Sequence, residues 1–423
     1  MTASRRPPSF PNEQKLRLMR PRWAFGLTFA AAVLVAGGIF YGLVVLLDFK
    51  EIDSTAKLDA KTLFDLVKLS FGIVAGAGAL VALVVAYRRQ RVDEAGAHRE
   101  ATRLHAERFS QAVDKLGSDS SAVRLGGVHA LAGLADDAPS KELRQTCIDV
   151  LCAYLRLPHA PDPGDDPAHL EEHQRYLALR EVRHTILRLI GDHYRLPEGT
   201  HRSWQGCDLD LTGVTIDGTM NLSGATFSAG RVSFDRATFS AGRVIFGGAT
   251  FSGGTVSFDG ATFSGGTVSL YAATYSAGRV SFDGATFSGG RTTFDKATFS
   301  GGSVSFYKAT FSGGSVSLDR ATFSGGTVSF DRTTFSAGTV SLDRATFSAG
   351  AVSFYGATFS AGRVTFDRTT FSARVASFYN ATFSGGRVTF YNATGPAPNG
   401  LINAVGNPAS TTVTLASHWV VNP

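Results

Sequence analysis

Cysteine is scarce in this chain of 423 residues, with only Cys147, Cys152 and Cys207 present. Three scattered thiols make no disulfide framework, so the chain suits a reducing compartment. Glutamate does not occur after Glu198, and the sequence has neither a glycine-rich phosphate loop nor a nucleophile elbow. These absences argue against an enzyme. They predict no catalytic residue, no cofactor, no metal and no small-molecule substrate.

One short motif has the spacing of a zinc site. His169, Glu172 and His173 match the pattern H-x-x-E-H, which on a helix places both histidines on one face. A metal centre of this kind needs a third protein ligand, usually a glutamate further along the chain, and none follows Glu198. A charged, solvated start of a helix is therefore the better interpretation.

Two apolar runs near the N-terminus, residues 24–47 and 69–87, have the lengths of membrane-spanning helices. Basic residues flank the pair on its outer sides, and the positive-inside rule then places both termini in the cytoplasm. We therefore predict a multi-pass protein of the inner (cytoplasmic) membrane that contacts the lipid bilayer through a two-helix transmembrane hairpin. A basic cytosolic tail, residues 1–23, precedes the hairpin, and residues 48–62 form its extracytoplasmic loop.

The middle of the chain has helical periodicity. Apolar residues recur at helical spacing between residues 92 and 193, which predicts a short α-helical cytosolic region over 88–200. Residues 158–167 are rich in Pro and Asp and form a linker within it. We expect residues 201–224 to be an N-terminal capping coil and residues 393–423 to be a C-terminal cap, because an open sheet edge invites aggregation.

Between these caps lies a repeat. Fourteen consecutive twelve-residue copies fill residues 225–392, and the first reads ATFSAGRVSFDR. Inward Ala/Phe and Val/Phe alternate with outward Thr or Ser over three residues, which predicts short strands, and the Gly and Asp segments between them predict turns. Such strands bury a face only when stacked about 4.8 Å apart. The pattern predicts a right-handed parallel β-solenoid, so the fold class is mixed: membrane hairpin, helical region and solenoid.

The repeats hold 24 of the 32 phenylalanines, and burial of each is worth about 1.5–3 kcal/mol. We predict that these side chains form ladders in the solenoid core. The ladders include Phe227, Phe234, Phe239, Phe246, Phe251, Phe258, Phe263, Phe287, Phe299 and Phe311.

The segment from Val232 to Arg236, followed by Ala237 to Ala241, resembles two tandem units of the pentapeptide-repeat family. The resemblance covers residues 207–392, and with the two apolar runs it extends to membrane-anchored pentapeptide-repeat proteins of actinobacteria. It implies a four-sided coil and no established activity. Two extra residues per repeat leave two coil sizes open: 24 residues from two repeats, which bulky Phe pairs favour, or fourteen flat twelve-residue coils.

Charge separates the possible binding functions. The repeats carry fourteen Lys or Arg and eight Asp. This mildly basic balance argues against an acidic surface that imitates DNA, and Asp beside Arg argues against binding of nucleic acid. We expect a non-enzymatic, membrane-anchored scaffold that presents a rigid solenoid wall to an unknown protein partner. The alternative is a module that binds nucleic acid or anionic lipid at the inner membrane surface. The candidate surface-binding ladder comprises Arg231, Arg243, Arg279, Arg320, Arg332, Arg344, Arg363 and Arg387.

Overall fold

A computed structural model describes residues 34–35, 37–38, 41–42, 60–164, 166–348, 351–372, 376–406 and 412–419. The chain divides into two compact units, Met1–Glu100 and Ala101–Pro423. The described helices are α1 (Ala60–Leu116), α2 (Ser121–Asp136), α3 (Lys141–Arg156), α4 (Leu170–Tyr194) and α5 (Leu401–Val405), with short 3-10 helices at Pro167–His169 and Ser417–Trp419.

The predicted transmembrane hairpin is corrected by the structure. Within the part of the chain that it describes, no helix is long and apolar enough to cross a membrane. Nine of the nineteen residues at 69–87 are Gly, Ala or Ser, which bury little apolar surface, and α1 continues from there through the charged residues 88–116. The span predicted at 24–47 lies outside the described residues except for six positions. The multi-pass inner-membrane localisation is corrected with it, and the expected contact with the lipid bilayer stays an untested prediction.

In the described residues the strands form four parallel sheets, here called faces 1 to 4 in the order in which each coil visits them. Face 1 contains Leu209–Asp210, Arg231–Ser233, Thr255–Ser257, Arg279–Ser281, Ser303–Ser305, Thr327–Ser329, Ala351–Ser353 and Ala376–Ser377. Face 2 contains Thr215–Ile216, Thr238–Phe239, Thr262–Phe263, Thr286–Phe287, Thr310–Phe311, Thr334–Phe335, Thr358–Phe359 and Thr382–Phe383. Face 3 contains Thr219–Asn221, Arg243–Ile245, Thr267–Ser269, Arg291–Thr293, Ser315–Ser317, Thr339–Ser341, Arg363–Thr365, Arg387–Thr389 and Val413–Thr414. Face 4 contains Thr226–Phe227, Thr250–Phe251, Thr274–Tyr275, Thr298–Phe299, Thr322–Phe323, Thr346–Phe347 and Thr370–Phe371.

The strand register gives the size of a coil. Val232 pairs with Val256, and Phe239 pairs with Phe263, in each case 24 residues further along the chain. Two repeats therefore make one four-sided coil, as favoured from the sequence, and the alternative of fourteen flat coils is wrong. Because each repeat covers half a coil, consecutive repeats lie on opposite sides of the solenoid. This alternation decides which surface residues become neighbours.

Aromatic rings fill the solenoid core. The ten phenylalanines named from the sequence are all at most 3% exposed. Rings one coil apart stack face to face, as Phe234 and Phe258 do with ring centres 4.9 Å apart and planes inclined by 4°. Rings of neighbouring ladders meet edge to face, with Phe234 and Phe246 at 6.1 Å and 88°. Both arrangements are favourable for aromatic rings, so the core is continuous along the stack.

Tyr275 is the tyrosine within the ladder of face 4. Its ring stacks between those of Phe251 and Phe299, at 4.6 Å from each, while its hydroxyl is buried and has no hydrogen-bond partner among the described residues. Burial raises the pKa of this hydroxyl well above its usual range. The side chain thus pays a desolvation penalty that phenylalanine would avoid.

We therefore expect the substitution Tyr275→Phe to raise the free energy of unfolding by about 1 kcal/mol, measured by urea denaturation. The matched control is Tyr391→Phe, since Tyr391 is 58% exposed and its loss of a hydroxyl should change stability by less than about 0.5 kcal/mol. A loss of stability in Tyr275→Phe would show that the hydroxyl makes a favourable interaction in the folded protein.

The helices cover the N-terminal end of the solenoid. The Tyr194 ring at the end of α4 stacks 5.7 Å from Phe227, and its hydroxyl donates to the Cys207 carbonyl at 2.8 Å. At Gly191 a Cβ atom would lie 2.6 Å from the carbonyl oxygen of Asn221. Only glycine allows this approach of helix to coil. The apolar core then runs from the helices into the first coil without interruption.

The C-terminal segment covers the other end. Val413–Thr414 pairs with Arg387–Thr389 and extends face 3. The Trp419 ring lies 5.8 Å from Phe371, and its indole nitrogen donates to the Gly395 carbonyl at 2.8 Å. The last aromatic rings are thereby shielded from water, and part of the open edge is paired.

Candidate interaction surface

The structure distributes the eight arginines of the predicted ladder over four separate places. Arg231 and Arg279 begin strands of face 1, whereas Arg243, Arg363 and Arg387 begin strands of face 3. The other three lie at corners: Arg332 follows face 1, and Arg320 and Arg344 follow face 3. Only two pairs of these arginines lie one coil apart, Arg363 with Arg387 and Arg320 with Arg344; Thr255 separates Arg231 from Arg279.

The corner between faces 3 and 4 carries the densest row of charge. Four consecutive coils each place an aspartate and a cation there, and a tyrosine occupies the aspartate position at both ends of the row. We call this row the charged corner. Its members are Asp295, Lys296, Asp319, Arg320, Asp343, Arg344, Asp367 and Arg368, flanked by Tyr271 and Tyr391.

The aspartates of the charged corner point along the solenoid and tie its coils together. Asp295 Oδ1 accepts a hydrogen bond from the backbone N–H of Asp319 at 3.1 Å and another from the Ser317 hydroxyl. Asp319 does the same with the N–H of Asp343 at 3.1 Å and with the Ser341 hydroxyl. Asp295 and Asp319 therefore satisfy backbone and hydroxyl donors of the next coil, and Asp367 accepts the backbone N–H of Tyr391 at 2.9 Å, which gives these carboxylates a structural role.

Burial raises the pKa of Asp343, and the negative charges of Asp319 and Asp367 add to this effect, against the hydrogen bonds from Thr365 and the Asp367 backbone. Neighbouring carboxylates of the row therefore repel one another when they are ionised. The cations beside the row compensate its negative charge, since four cations and four aspartates give the charged corner a formal charge of 4 − 4 = 0.

The cations of the charged corner have a strained backbone. Lys296, Arg320, Arg344 and Arg368 have φ angles of 57° to 60°, in the left-handed region. This conformation costs an L-residue about 1–2 kcal/mol, and other repeats place glycine or asparagine at the same position. All four side chains are exposed. Among the described residues, none of the four has a carboxylate within ion-pair distance.

Exposed aromatic rings complete the charged corner. Tyr271 is 44% exposed and Tyr391 is 58% exposed. The Lys296 ammonium lies 5.2 Å from the centre of the Tyr271 ring, within the range of a cation–π contact. Tyrosines and cations together border an open groove of about 560 Å³. Such a mixture of Tyr and Arg is typical of protein-binding surfaces.

The opposite corner, between faces 1 and 2, has a different surface. Its successive coils carry Asp235, Asp259, Asp283, Tyr307, Asp331, Tyr355 and Tyr379. The ring of Tyr379 is 54% exposed. Arg236, Lys308 and Arg332 follow three of these residues with the same left-handed backbone, and glycine or asparagine follows the other four. The cations on this side are therefore one alone and one adjacent pair, not a row through four consecutive coils.

Other candidate chemistry does not assemble into a site. His169 pairs with Glu172 at 3.1 Å, whereas His173 contacts Asp162 at 2.8 Å. In the described residues no group of three His, Cys, Asp or Glu side chains could hold a metal ion. Burial raises the pKa of Cys147 to about 11 and that of Cys152 to about 12, so these thiols are protonated and unreactive at neutral pH.

The sequence contained a signal for the charged corner that residue spacing alone does not reveal. Position twelve of the repeat holds a cation in seven copies, but the copies alternate between two sides of the solenoid. The even-numbered copies all lie on one side, and four consecutive ones hold a cation at position twelve: Lys296, Arg320, Arg344 and Arg368. Once the 24-residue coil is established, this division of the copies is unambiguous.

Comparison with known protein families gives one match. The family model described as "Pentapeptide repeats (9 copies)" matches residues 306–358. Together, this match and the four-sided β-solenoid support a pentapeptide-repeat protein. No curated protein and no solved structure matches the chain. Neither finding bears on an actinobacterial source, which stays a prediction.

Proposed function

We propose that this chain is a non-enzymatic interaction scaffold and that the charged corner is where its solenoid docks a protein partner. One observation carries the proposal: four cations in consecutive coils lie in a strained backbone conformation and, among the described residues, face no carboxylate within ion-pair distance. Support for a scaffold comes from the pentapeptide-repeat match, because such solenoids are a structural fold.

The strain argues for selection of these side chains. A corner that had only to turn would favour glycine, as at Gly284 and Gly356. Solubility alone needs charge, but charge is equally available on the strands, where it costs no strain, as at Arg279. Strained residues in consecutive coils point to a function that repays their cost.

The balance of charge favours a protein over a polyanion. Nucleic acid and anionic lipid are attracted by a net positive surface, whereas the charged corner has a formal charge of zero. Tyr271 and Tyr391 are five coils apart, about 24 Å at a coil spacing of ~4.8 Å, which is a suitable length for a protein interface. We expect the partner to present carboxylates toward the cations and apolar surface toward the tyrosines.

Site-specific photo-crosslinking in living cells of the native host tests this proposal. Benzoylphenylalanine replaces Tyr391 in the charged corner or, as the matched control, Tyr379 at the opposite corner; both side chains are exposed to a similar degree. We expect a discrete protein adduct from position 391 and none from position 379. The triple variant Arg320→Glu, Arg344→Glu and Arg368→Glu should reduce the adduct by at least about tenfold.

A second triple variant controls for overall charge. Arg243→Glu, Arg279→Glu and Arg387→Glu change the formal charge equally but lie on faces 1 and 3, so the adduct should persist. Equal adducts from positions 379 and 391, or equal losses in both triple variants, would contradict docking at the charged corner. An adduct abolished by nuclease, or one formed with lipid, would overturn the protein partner in favour of a polyanion.

A further inference from the structure

A pocket of about 350 Å³ lies between the linker that follows α3 and one face of α4. Helix α4 contributes Arg175, Leu179 and Arg183, which are spaced four residues apart and therefore share that face. The linker contributes Pro161 and Pro163 from the other side. The volume falls within the range of small-molecule sites.

The pocket is bordered by a buried cation. Arg183 is 5% exposed. Its Nη1 donates to the Leu155 carbonyl at 2.8 Å and its Nη2 to the Thr215 carbonyl at 3.3 Å. Carbonyl oxygens satisfy these two donors but do not neutralise the charge. No carboxylate among the described residues lies within ion-pair distance of Arg183, although buried charges are normally paired.

The acids nearest to the pocket already have other partners. Asp217 accepts from Arg180 Nε and lies beside His184 Nε2, each at 3.2 Å. Burial works against its ionisation, but these two contacts outweigh burial and hold the pKa of Asp217 at about 2. Glu172 at the rim contacts His169. The charge of Asp217 acts on Arg183 from a distance, but its carboxylate is already engaged by Arg180 and His184.

The lining also contains the cations Arg175 and Arg180, so its three cations and two acids give a formal charge of 3 − 2 = +1. Burial, together with the charge of Arg183, lowers the pKa of His159, so this ring is neutral at pH 7. Ala160, Pro161, Pro163 and Leu179 present apolar surface. A lining with one net positive charge and several apolar side chains fits a ligand with one negative charge and an apolar body.

We propose that this pocket binds a small organic monocarboxylate, with the carboxylate toward Arg183 and the apolar body against the linker prolines and Leu179. The site is separate from the charged corner and independent of the scaffold function. It would make the helical cap of the solenoid a sensor or carrier of a small metabolite. No covalent step is involved.

Equilibrium dialysis with the full-length protein tests the proposal. The probes are benzoate, phenylacetate and hexanoate, each compared with its neutral amide of nearly the same shape. We expect at least one carboxylate to bind at least about tenfold more tightly than its amide, since hydrogen bonds to a charged group are stronger than those between neutral groups. Equal binding of acids and amides, or no binding by any probe, would overturn the proposal.

Two substitutions on α4 locate the binding. Leu179→Trp fills the pocket and should abolish binding, whereas Leu177→Trp, two residues away and already 43% exposed, should leave it unchanged. Arg183→Gln should remove the preference for carboxylates over amides, but Arg183 also links α3 to the first coil, so that variant is interpreted only if its circular dichroism is native. Unchanged binding in Leu179→Trp would contradict the site whatever Arg183→Gln shows.

Discussion

Gly290→Ala is expected to destabilise the solenoid by about 2–5 kcal/mol, the sum of ~1–2 for a left-handed backbone and ~1–3 for overpacking. Gly290 has a φ of 66°, and a Cβ atom there would lie 2.5 Å from the Gly265 carbonyl oxygen and 2.6 Å from that of Gly266. Both oxygens belong to the coil before it. The added methyl group therefore forces two coils apart where their backbones touch.

Gly284 provides the matched control for Gly290. It has the same φ of 66°, but a Cβ atom there would meet nothing within 4 Å. Gly284→Ala thus carries the conformational cost alone, about 1–2 kcal/mol, and arginine is tolerated at the equivalent position in Arg236 and Arg332. Urea denaturation of both variants measures the difference. Equal losses of stability would show that the coils move apart easily, and that close backbone contact is not what requires glycine at position 290.

The repeat made the solenoid predictable because its local chemistry is the same in every copy. Alternation around Val232 and Phe239 predicted strands of three residues, and the structure has strands there of three and of two residues. The bulk of two phenylalanines per repeat favoured a 24-residue coil, and the register confirms it. Local strand propensity and core packing favour the same structure here, which is why the sequence alone predicted the solenoid and its coil size.

The sameness of the repeats also made the interaction surface harder to predict. Identical repeats give Arg320 and Arg332 the same local sequence, yet they lie on opposite corners because successive repeats alternate between sides. The strain at these residues was also hidden, since an Asp–Arg pair indicates a turn without specifying a left-handed backbone. Long-range register, which no short segment contains, decides both properties.

The prediction of a membrane hairpin was wrong; it relied on the length of two apolar runs more than on their composition. The run 69–87 satisfied a length criterion, but glycine, alanine and serine make up about half of it. The structure continues this run without a break into the charged part of α1.

The core ladder provides the second large effect. Phe306→Ala is expected to reduce the free energy of unfolding by about 3–5 kcal/mol. The Phe306 ring is fully buried and stacks 4.9 Å from Phe282 and 4.7 Å from Phe330. Its removal leaves a cavity inside the stack and takes a partner from each neighbouring ring. The coils cannot collapse into that cavity, because their strand spacing is fixed by backbone hydrogen bonds.

Phe306→Leu distinguishes loss of volume from loss of aromatic stacking. Leu318 and Leu342 occupy the equivalent position in the opposing ladder and are each 1% exposed, so the coil accepts leucine without a large void. We expect Phe306→Leu to cost less than about 1.5 kcal/mol, measured by urea denaturation beside Phe306→Ala. If leucine costs as much as alanine, stacking between rings, rather than filled volume, holds the ladder together. Because each coil contacts only its neighbours, either loss should first appear as unfolding near residue 306, detectable by hydrogen exchange.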